Sequence, residues 1–562
     1  MRTLSVPQCA LLLGVSSARV RHWCESEVIP AVKFGDDWVI QDERIEQFGR
    51  IENLETFDQD LPLNFSKALS QMASLDFTEE WIPDILRHED LLMERERLLS
   101  RVEDRYSLGI TNAATDVEIP KTSFFARAGQ LLSLHDRIAY HATVETFAQR
   151  IDTYLPGVVF SARLAPEGSR RLLHNGVKQW RRWTRYVRES VKAENPWLMK
   201  TDLAAYFDCI RHDILLRELG TLGVSKETLE KLAGLLQAWS HSPGQGIPQG
   251  PDVSRLLGNF YLSSIDKMML NEGFKYSRYM DDIRIVGSTK SEVVHAIRRF
   301  GLECRKRGLI VSASKTKILH GKEAREVDLD AARDLAQYYM DARKAAQAKK
   351  ILREILGDAL KDDHEIGVRA VRFSLRRLGQ LREEDVCKQV LDRLDDLAPV
   401  APVVGDFLGA YISRPFVQDA LSAYLVDESQ VQDDYLVAFL YAAMLEHPGL
   451  LPKAWADHAR KTMQDRNLPD HLRVIAANVV ALKREAVDIS WIQNQARREA
   501  SEGLLRGYAV ALRRAGTLDA TISTVLSSRS DGLARTIRYL HSISNLPSIV
   551  RGYTRVGAHA QL

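Results

Sequence analysis

In YSRYMDDIRIVG, residues 276–287, Tyr276, Arg278 and Met280 lead in, and Ile283 and Ile285 alternate with polar neighbours on the way out. That period of two predicts a β-hairpin with Asp281 and Asp282 at its tip. Elsewhere the period is helical. Residues 1–50 give a helix over VPQCALLLG, a turn at Gly14, a second helix over SSARVRHWCESEV that Ser16 or Ser17 can cap, and a small β-wing around residues 35–39. Residues 51–114 are acidic and helix-like and predict a connector. Residues 115–330 mix strands, helices and Gly/Pro punctuation, which predicts an α+β domain.

Beyond residue 330 strand signals fade. Apolar or aromatic residues recur as Val368, Val371, Leu375 and Leu378, as Leu472, Ile475, Val479 and Leu482, and as Leu505, Tyr508, Leu512 and Ala515, with shorter versions from Val404 and Leu436. The five starts lie 36, 32, 36 and 33 residues apart, close to the period of a stacked helix pair. A HEAT-like α-helical repeat domain over 331–562 is the expectation, with an ordinary helical bundle as the alternative.

A chain of 562 residues is too long for one core and is expected to hold about three or four domains. Its formal net charge is only +2, so a nucleic-acid partner must be met by local basic patches. Cys9, Cys24, Cys209, Cys304 and Cys387 are scattered without C-x-x-C or His pairing, against a zinc site and against a disulfide framework. A reducing, cytoplasmic setting is expected. No apolar run approaches a membrane span, and the first residues lack the pattern of a signal peptide.

An Asp-Asp turn alone can be a solvated turn that satisfies local backbone donors. A third carboxylate changes the picture, because magnesium takes hard oxygen ligands from more than one segment. WLMKTDLAAYFDCIRHDILL supplies it: a strand-like run ends in Asp202, and Phe207 follows five residues on. Two metal ions about 3.5–4 Å apart can clamp the attacking and leaving oxygens of an in-line phosphoryl displacement. Asp202 and Asp281 suit a bridge between them, with Asp282 at the rim. Between these segments GIPQGPDVSRLLGNFYLSSID makes a turn at Gly246, Pro248 and Gly250 that feeds an amphipathic helix and can lay Gln249 against a template-primer or nucleotide.

In order and content these blocks resemble the palm of a reverse transcriptase. KTDLAAYFDCI is similar to motif A, IPQGPDVSRLLGNFYL to motif B, YMDD to motif C and GLIVSASKTKIL to motif D, where Ser312 replaces a frequent Asn. IPKTSFFARAGQLLSLHDR resembles the family's fingers segment, with Lys121, Arg127, Asp136 and Arg137 at matching spacing and Arg163 following in FSAR. The resemblance spans about 115–330 and implies fingers and palm. It implies two Mg2+ ions on Asp202 and Asp281 with Asp282 assisting, and Phe207 under the sugar 2′ carbon, favouring deoxynucleotides. Lys121 and Arg127 would hold the triphosphate, Gln249 and Gly250 would border the nucleotide, and Lys315 is the candidate proton donor to pyrophosphate. Against these stand plain readings of Lys121 and Arg127 as surface charges, Phe207 as core and Lys315 as a solvated loop lysine.

The remaining segments narrow the type. VKQWRRWTRYVRESVK offers Arg181, Arg182 and Arg185 with Trp180 and Trp183 for a nucleic-acid path with stacking surfaces, or an amphipathic helix that buries its tryptophans. Residues 1–50 resemble the excisionase and MerR-like helix-turn-helix, with Arg19, Arg21 and His22 facing DNA, or form a small helical docking domain. The form QGPDVS and the helical tail resemble bacterial reverse transcriptases of the abortive-infection and unknown-group type, which implies antiphage defence. Expected partners are dNTPs, a DNA product and a non-coding RNA template or none, with a homo-oligomer left open. A retron or group II intron-like enzyme, or a DNA-binding regulator using the body as a nucleic-acid platform, are the alternatives. RNLPDH has the R-x4-H spacing of HEPN ribonucleases, but Pro469 favours a turn and a new helix with Asp470 as its cap.

Overall fold

Short runs rich in β-branched and aromatic residues pair into the sheet that carries the 276–287 hairpin. The structure, a computed structural model, describes residues 3–6, 20–21, 24, 31–34, 37–41, 60–75, 81–122, 125–327, 331–361, 366–427 and 432–549. Among these the strands are β1 (Thr3–Ser5), β2 (Ala31–Phe34), β3 (Asp37–Gln41), β4 (Thr115–Pro120), β5 (Ala126–Leu131), β6 (Trp197–Thr201), β7 (Leu203–Ala204), β8 (Lys275–Tyr279), β9 (Asp282–Gly287), β10 (Ile310–Val311) and β11 (Lys317–His320). The chain falls into two compact units. One gathers Met1–Asp76, Val102–Ala114 and Leu132–Val327, the other Phe77–Arg101, Thr115–Leu131 and Asp328–Leu562.

The first unit is built on an antiparallel sheet of order β11-β6-β9-β8. Neighbouring residues on a strand point to opposite faces, and here both faces are covered. Met199, Tyr276, Ile283 and Ile285 join the core that holds the helices Asp252–Asn271 and Lys290–Lys306. Leu198, Val286 and Leu319 join a second core with Phe160, Trp183 and Val187, the last two from the helix Gly176–Ser190. That helix starts where the Asn175 side chain accepts the Lys178 N–H at 3.1 Å.

Near the N-terminus β1, β3 and β2 form an antiparallel sheet, and the β2–β3 pair brackets the position expected for a wing. Arg21 is exposed, whereas Arg19 and His22 lie outside the described residues.

Among the described residues the second unit is helical apart from the β4–β5 pair. The helices Val368–Gln380, Ala401–Gly409, Asp434–Leu445, Asp470–Ala481 and Glu502–Ala515 hold the five periodic starts, and each packs on the next. Close approach depends on glycine at two of these contacts: a Cβ at Gly405 would stand 2.9 Å from the Phe439 carbonyl oxygen, and one at Gly507 2.5 Å from Val474 Cγ2. The stretch expected as a connector is divided between the units. Residues 81–101 pack with the C-terminal helices, where half-buried Arg506 donates to Asp84 (2.7 and 3.0 Å) and Asp90 (2.8 and 2.7 Å).

One local expectation is corrected. Asp470 is the first residue of the helix Asp470–Ala481 and not its cap, because Pro469 takes the preceding position. Its carboxylate accepts instead from Ser501 Oγ at 2.6 Å and Arg473 at 3.3 Å.

Candidate active site

Register brings the carboxylates together. β6 pairs with β9 through Lys200 opposite Arg284 and Thr201 opposite Ile283, so one further step sets Asp202 opposite Asp282. β8 and β9 close with Tyr279 opposite Asp282, leaving Met280 and Asp281 as a two-residue loop. Met280 has φ +58°, a conformation that hairpin loops of this length usually give to glycine or asparagine. Its neighbours hold it there: the Met280 N–H donates to Ser161 Oγ at 2.6 Å, and its carbonyl accepts from Arg278 at 3.2 Å.

Beneath the turn lies a buried charge network that sequence reading missed. Arg278 is fully buried and donates to both Asp266 oxygens at 2.7 and 2.6 Å, to the Asn259 side chain at 2.6 Å and to the Asn259 carbonyl at 2.9 Å. Tyr276 donates to Asp266 at 2.9 Å, and Asn259 donates to the Ser161 carbonyl at 2.6 Å. A buried ion pair is tolerated only when both partners are fully hydrogen-bonded, as they are here. The helix Asp252–Asn271, which carries Asn259 and Asp266, is thereby fixed to the aspartate turn. The signal in the sequence was Arg278 standing in phase with Tyr276 on one strand face.

The site is electrostatically strained. Burial first, then the negative charges of Asp202 and Asp282, push the Asp281 carboxyl up to about 7. Lys315 forms an ion pair with Asp202. Burial works against the Lys315 charge, yet that pair and the charges of Asp281 and Asp282 raise its pKa. The Ser312 N–H donates to the Asp202 carbonyl at 2.8 Å, and the Thr201 and Thr316 hydroxyls meet at 2.7 Å, so the loop carrying Lys315 is tied to the strand end that carries Asp202. Asp282 lies 3.9 Å from Arg284, itself buried against the Trp183 ring at 4.8 Å.

The nucleotide-side residues also assemble. Phe207 is half-buried, and its carbonyl accepts the Ile247 N–H at 3.1 Å, which ties it to the loop carrying Gln249 and Gly250. Gly250 has φ +124°, a backbone state open essentially to glycine alone. A Cβ at Gly258 would lie 3.3 Å from the Tyr206 ring and 3.4 Å from the Phe207 ring, so the helix passes directly beside both aromatics.

Arg181, Arg182 and Arg185 are exposed on the helix Gly176–Ser190, while Trp183 is fully buried and donates to Ser277 at 3.0 Å. Trp183 is therefore a core residue and not a stacking platform. Lys121 and Arg127 belong to the second unit: Lys121 is exposed beside the β4–β5 tip, and Arg127 stacks on Trp81 at 4.8 Å. Asp136 and Arg163 have structural partners, Asp136 accepting the Asn112 N–H at 3.1 Å and Arg163 donating to Asp152 at 2.7 Å.

Residues 139–352 match the family model described as reverse transcriptase (RNA-dependent DNA polymerase). This stretch is a reverse transcriptase domain. The domain encloses Asp202, Asp281, Asp282, Phe207, Gln249, Gly250 and Lys315. A curated relative, the putative COX1/OXI3 intron 2 protein of Saccharomyces cerevisiae, is 35% identical over 83 residues, which are 14% of this chain and 10% of that protein. The chain thus spans about a tenth of that relative's length. Among solved structures, apo telomerase from Candida tropicalis truncated from its C-terminal domain is 14% identical, with 40% of this chain and 55% of that chain covered at a TM-score of 0.27. Telomerase from Candida albicans with a fragment of telomeric RNA is 11% identical, with 64% and 68% covered at 0.30. Overlays this loose add nothing to the family match of the reverse transcriptase domain.

Among the described residues no three His, Cys, Asp or Glu side chains are gathered as a ready-made metal cluster. Asp202 is engaged with Lys315, and Asp282 leans to Arg284. The donor chemistry nevertheless fits magnesium: three hard carboxylates meet at the ends of adjacent strands, and Asp281 resists ionisation because it is buried beside the charges of Asp202 and Asp282.

Proposed function

We propose that the chain is an RNA-directed or untemplated DNA polymerase, transferring nucleotidyl groups from dNTPs. The observation that carries this reading is the convergence of Asp202, Asp281 and Asp282 at one sheet end, with the Asp281 carboxyl pushed up to about 7 by burial and by the charges of the other two. Asp202 and Asp281 would hold two Mg2+ ions with help from Asp282, and the ions would activate the primer hydroxyl and steady the leaving pyrophosphate. Phe207, Gln249 and Gly250 form one wall for the incoming nucleotide, and Phe207 excludes a 2′ hydroxyl. Lys315, released from Asp202, donates a proton at a pyrophosphate oxygen. Lys121 and Arg127 hold the triphosphate by charge-assisted contacts. Arg181, Arg182 and Arg185 follow a nucleic-acid backbone.

The finer reading is a cytoplasmic, defence-associated bacterial reverse transcriptase with a DNA-binding helix-turn-helix over residues 1–50 and a HEAT-like tail. It is supported by QGPDVS, the exposed Arg21 and the stacked helices. Incorporation of labelled dNTPs by purified protein with Mg2+, with and without co-purifying RNA, tests the polymerase reading. Product is expected from the wild type and at least about 10²–10³-fold less from Asp281→Ala/Asp282→Ala. RNase or protease sensitivity of the product then separates templated from protein-primed synthesis. Equal yields from both proteins, or no DNA under any added RNA or phage lysate, would move the account to a nucleic-acid platform.

A further inference from the structure

Of the three aspartates, Asp281 has the least support from strand pairing. Asp202 directly follows β6 and Asp282 opens β9, so sheet register fixes both, whereas Asp281 shares a two-residue loop with Met280. Met280, at φ +58°, is held outside the usual range of a non-glycine residue, and so is Ala162, at φ +44°, next to the residue that Met280 bonds. Residues 158–162 run along β8: the Arg278 N–H donates to the Val158 carbonyl and the Phe160 N–H to the Arg278 carbonyl, each at 3.1 Å. Ser161 is 2% exposed, and its neighbours fix the direction of its hydroxyl. Arg278 carries donors only, so the Asn259 side chain turns its oxygen to it at 2.6 Å, which leaves the Asn259 amide for the Ser161 and Ala162 carbonyls at 2.6 and 3.4 Å. The Ser161 hydroxyl then donates to Asn259 Oδ1 at 3.4 Å and turns a lone pair to the Met280 N–H at 2.6 Å. Strained residues over-determined by their surroundings in this way cluster at sites of function.

We infer that Ser161 is a positioning residue for nucleotidyl transfer: by accepting the Met280 N–H, its hydroxyl sets the backbone from which Asp281 presents a carboxylate to metal. This rests on the proposed function and deepens it. Without the hydroxyl the Met280 N–H loses that acceptor, and with it the bond that offsets a left-handed methionine. The loop is then free to relax toward ordinary backbone and to carry Asp281 with it. Asparagine or glycine at position 280 would need no such hold, because both adopt positive φ readily. A strained methionine paired with a buried acceptor fixes one state of the loop, where glycine alone leaves many.

The test is Mn2+ binding without dNTPs, followed by electron paramagnetic resonance, beside primer-extension kinetics and the melting of the first unit. Asp281→Ala/Asp282→Ala gives the background of Mn2+ bound elsewhere. Ser161→Ala is expected to weaken Mn2+ binding about 10-fold or more and to lower kcat about 10–100-fold, while KM for dNTP stays within about twofold. Ser161→Thr, which keeps the acceptor, stays near the wild type. Ser161→Cys, which fills the space with a weak acceptor, follows alanine and stands in for it should alanine not fold. Adding Met280→Asn to Ser161→Ala is expected to recover most of the Mn2+ affinity, which a merely structural role would not do. The inference is overturned if the alanine and cysteine variants bind Mn2+ and turn over as the wild type does. It is equally overturned if their losses track only the folded fraction and Met280→Asn restores nothing. A wild type that binds Mn2+ at the aspartates and makes no DNA overturns the polymerase reading alone, because the Mn2+ titrations still decide the role of Ser161; one that binds none there overturns both.

Discussion

The sheet of the first unit and the helical stack of the second both bury charge, but in different places: beneath the aspartate turn in the first, and where residues 81–101 meet Arg506 of the helix Glu502–Ala515 in the second. Around β8 and β9 the interior holds Arg278, Asp266 and Arg284, all buried, beneath a carboxylate that burial and its charged neighbours keep from ionising readily. In the stack, helix meets helix through Val, Leu, Ala and Gly, with Gly405 and Gly507 at van der Waals limits. Buried charge is costly unless each group is partnered, and it gives an exactness of position that apolar packing does not require. In the first unit the charged interior lies directly under the aspartates, where position matters to chemistry.

The largest expected break in that contrast is Arg278→Ala. It strands Asp266 in the core and frees Met280 and Asp281, so the first unit should lose about 3–5 kcal/mol while the melting of the second unit stays in place. Calorimetry resolving two transitions checks it; an unchanged first transition would contradict the network's role.

The next effect is pH-dependent and has a definite sign. The folded pKa of Asp281, about 7, lies above its ordinary 3.8, so the folded state binds the proton more tightly than the unfolded state. This group's penalty is absent below about pH 4, grows as pH rises and is complete above about 7. Asp281→Asn should therefore stabilise the metal-free protein at pH 8 by about 1–3 kcal/mol and leave it nearly unchanged at pH 4. Denaturant melts at the two pH values test it, and equal shifts at both would refute the electrostatic strain.

The smallest effect is in the stack. Gly507→Ala gains about 1 kcal/mol of helix propensity, but its Cβ would meet Val474 at 2.5 Å, and overpacking costs about 1–3 kcal/mol. A net loss of about 1 kcal/mol, confined to the second transition, is expected. A gain in stability would show that the helices can part without cost.

The site was legible in the sequence where chemistry leaves residues that structure alone does not reward. Asp202, one residue past the end of β6, and Asp281 and Asp282, in the turn and at the start of β9, lie where the period-two runs placed them, because such runs fix which residues reach one sheet end, whereas Lys315 was signalled only by the motif D resemblance. The periodic starts from Val368 to Leu505 fall inside helices that pack in succession. What stayed hidden was partner choice across long separations. Nothing local tells that Arg278 will meet Asp266 and Asn259, that Arg284 will lie against Trp183, or that the acidic 81–101 segment holds Asp84 and Asp90 for Arg506. Those pairings depend on which helix covers which face, and polar residues on an alternating strand look solvated until that cover is known.

The most direct test of the central claim is nucleotide incorporation by Asp281→Asn, measured beside its stability at pH 8. The account predicts a protein more stable than the wild type that extends no primer with Mg2+ and dNTPs, since the same charge that strains the fold would hold the metal. A variant that is stabilised and still synthesises DNA at the wild-type rate would contradict it.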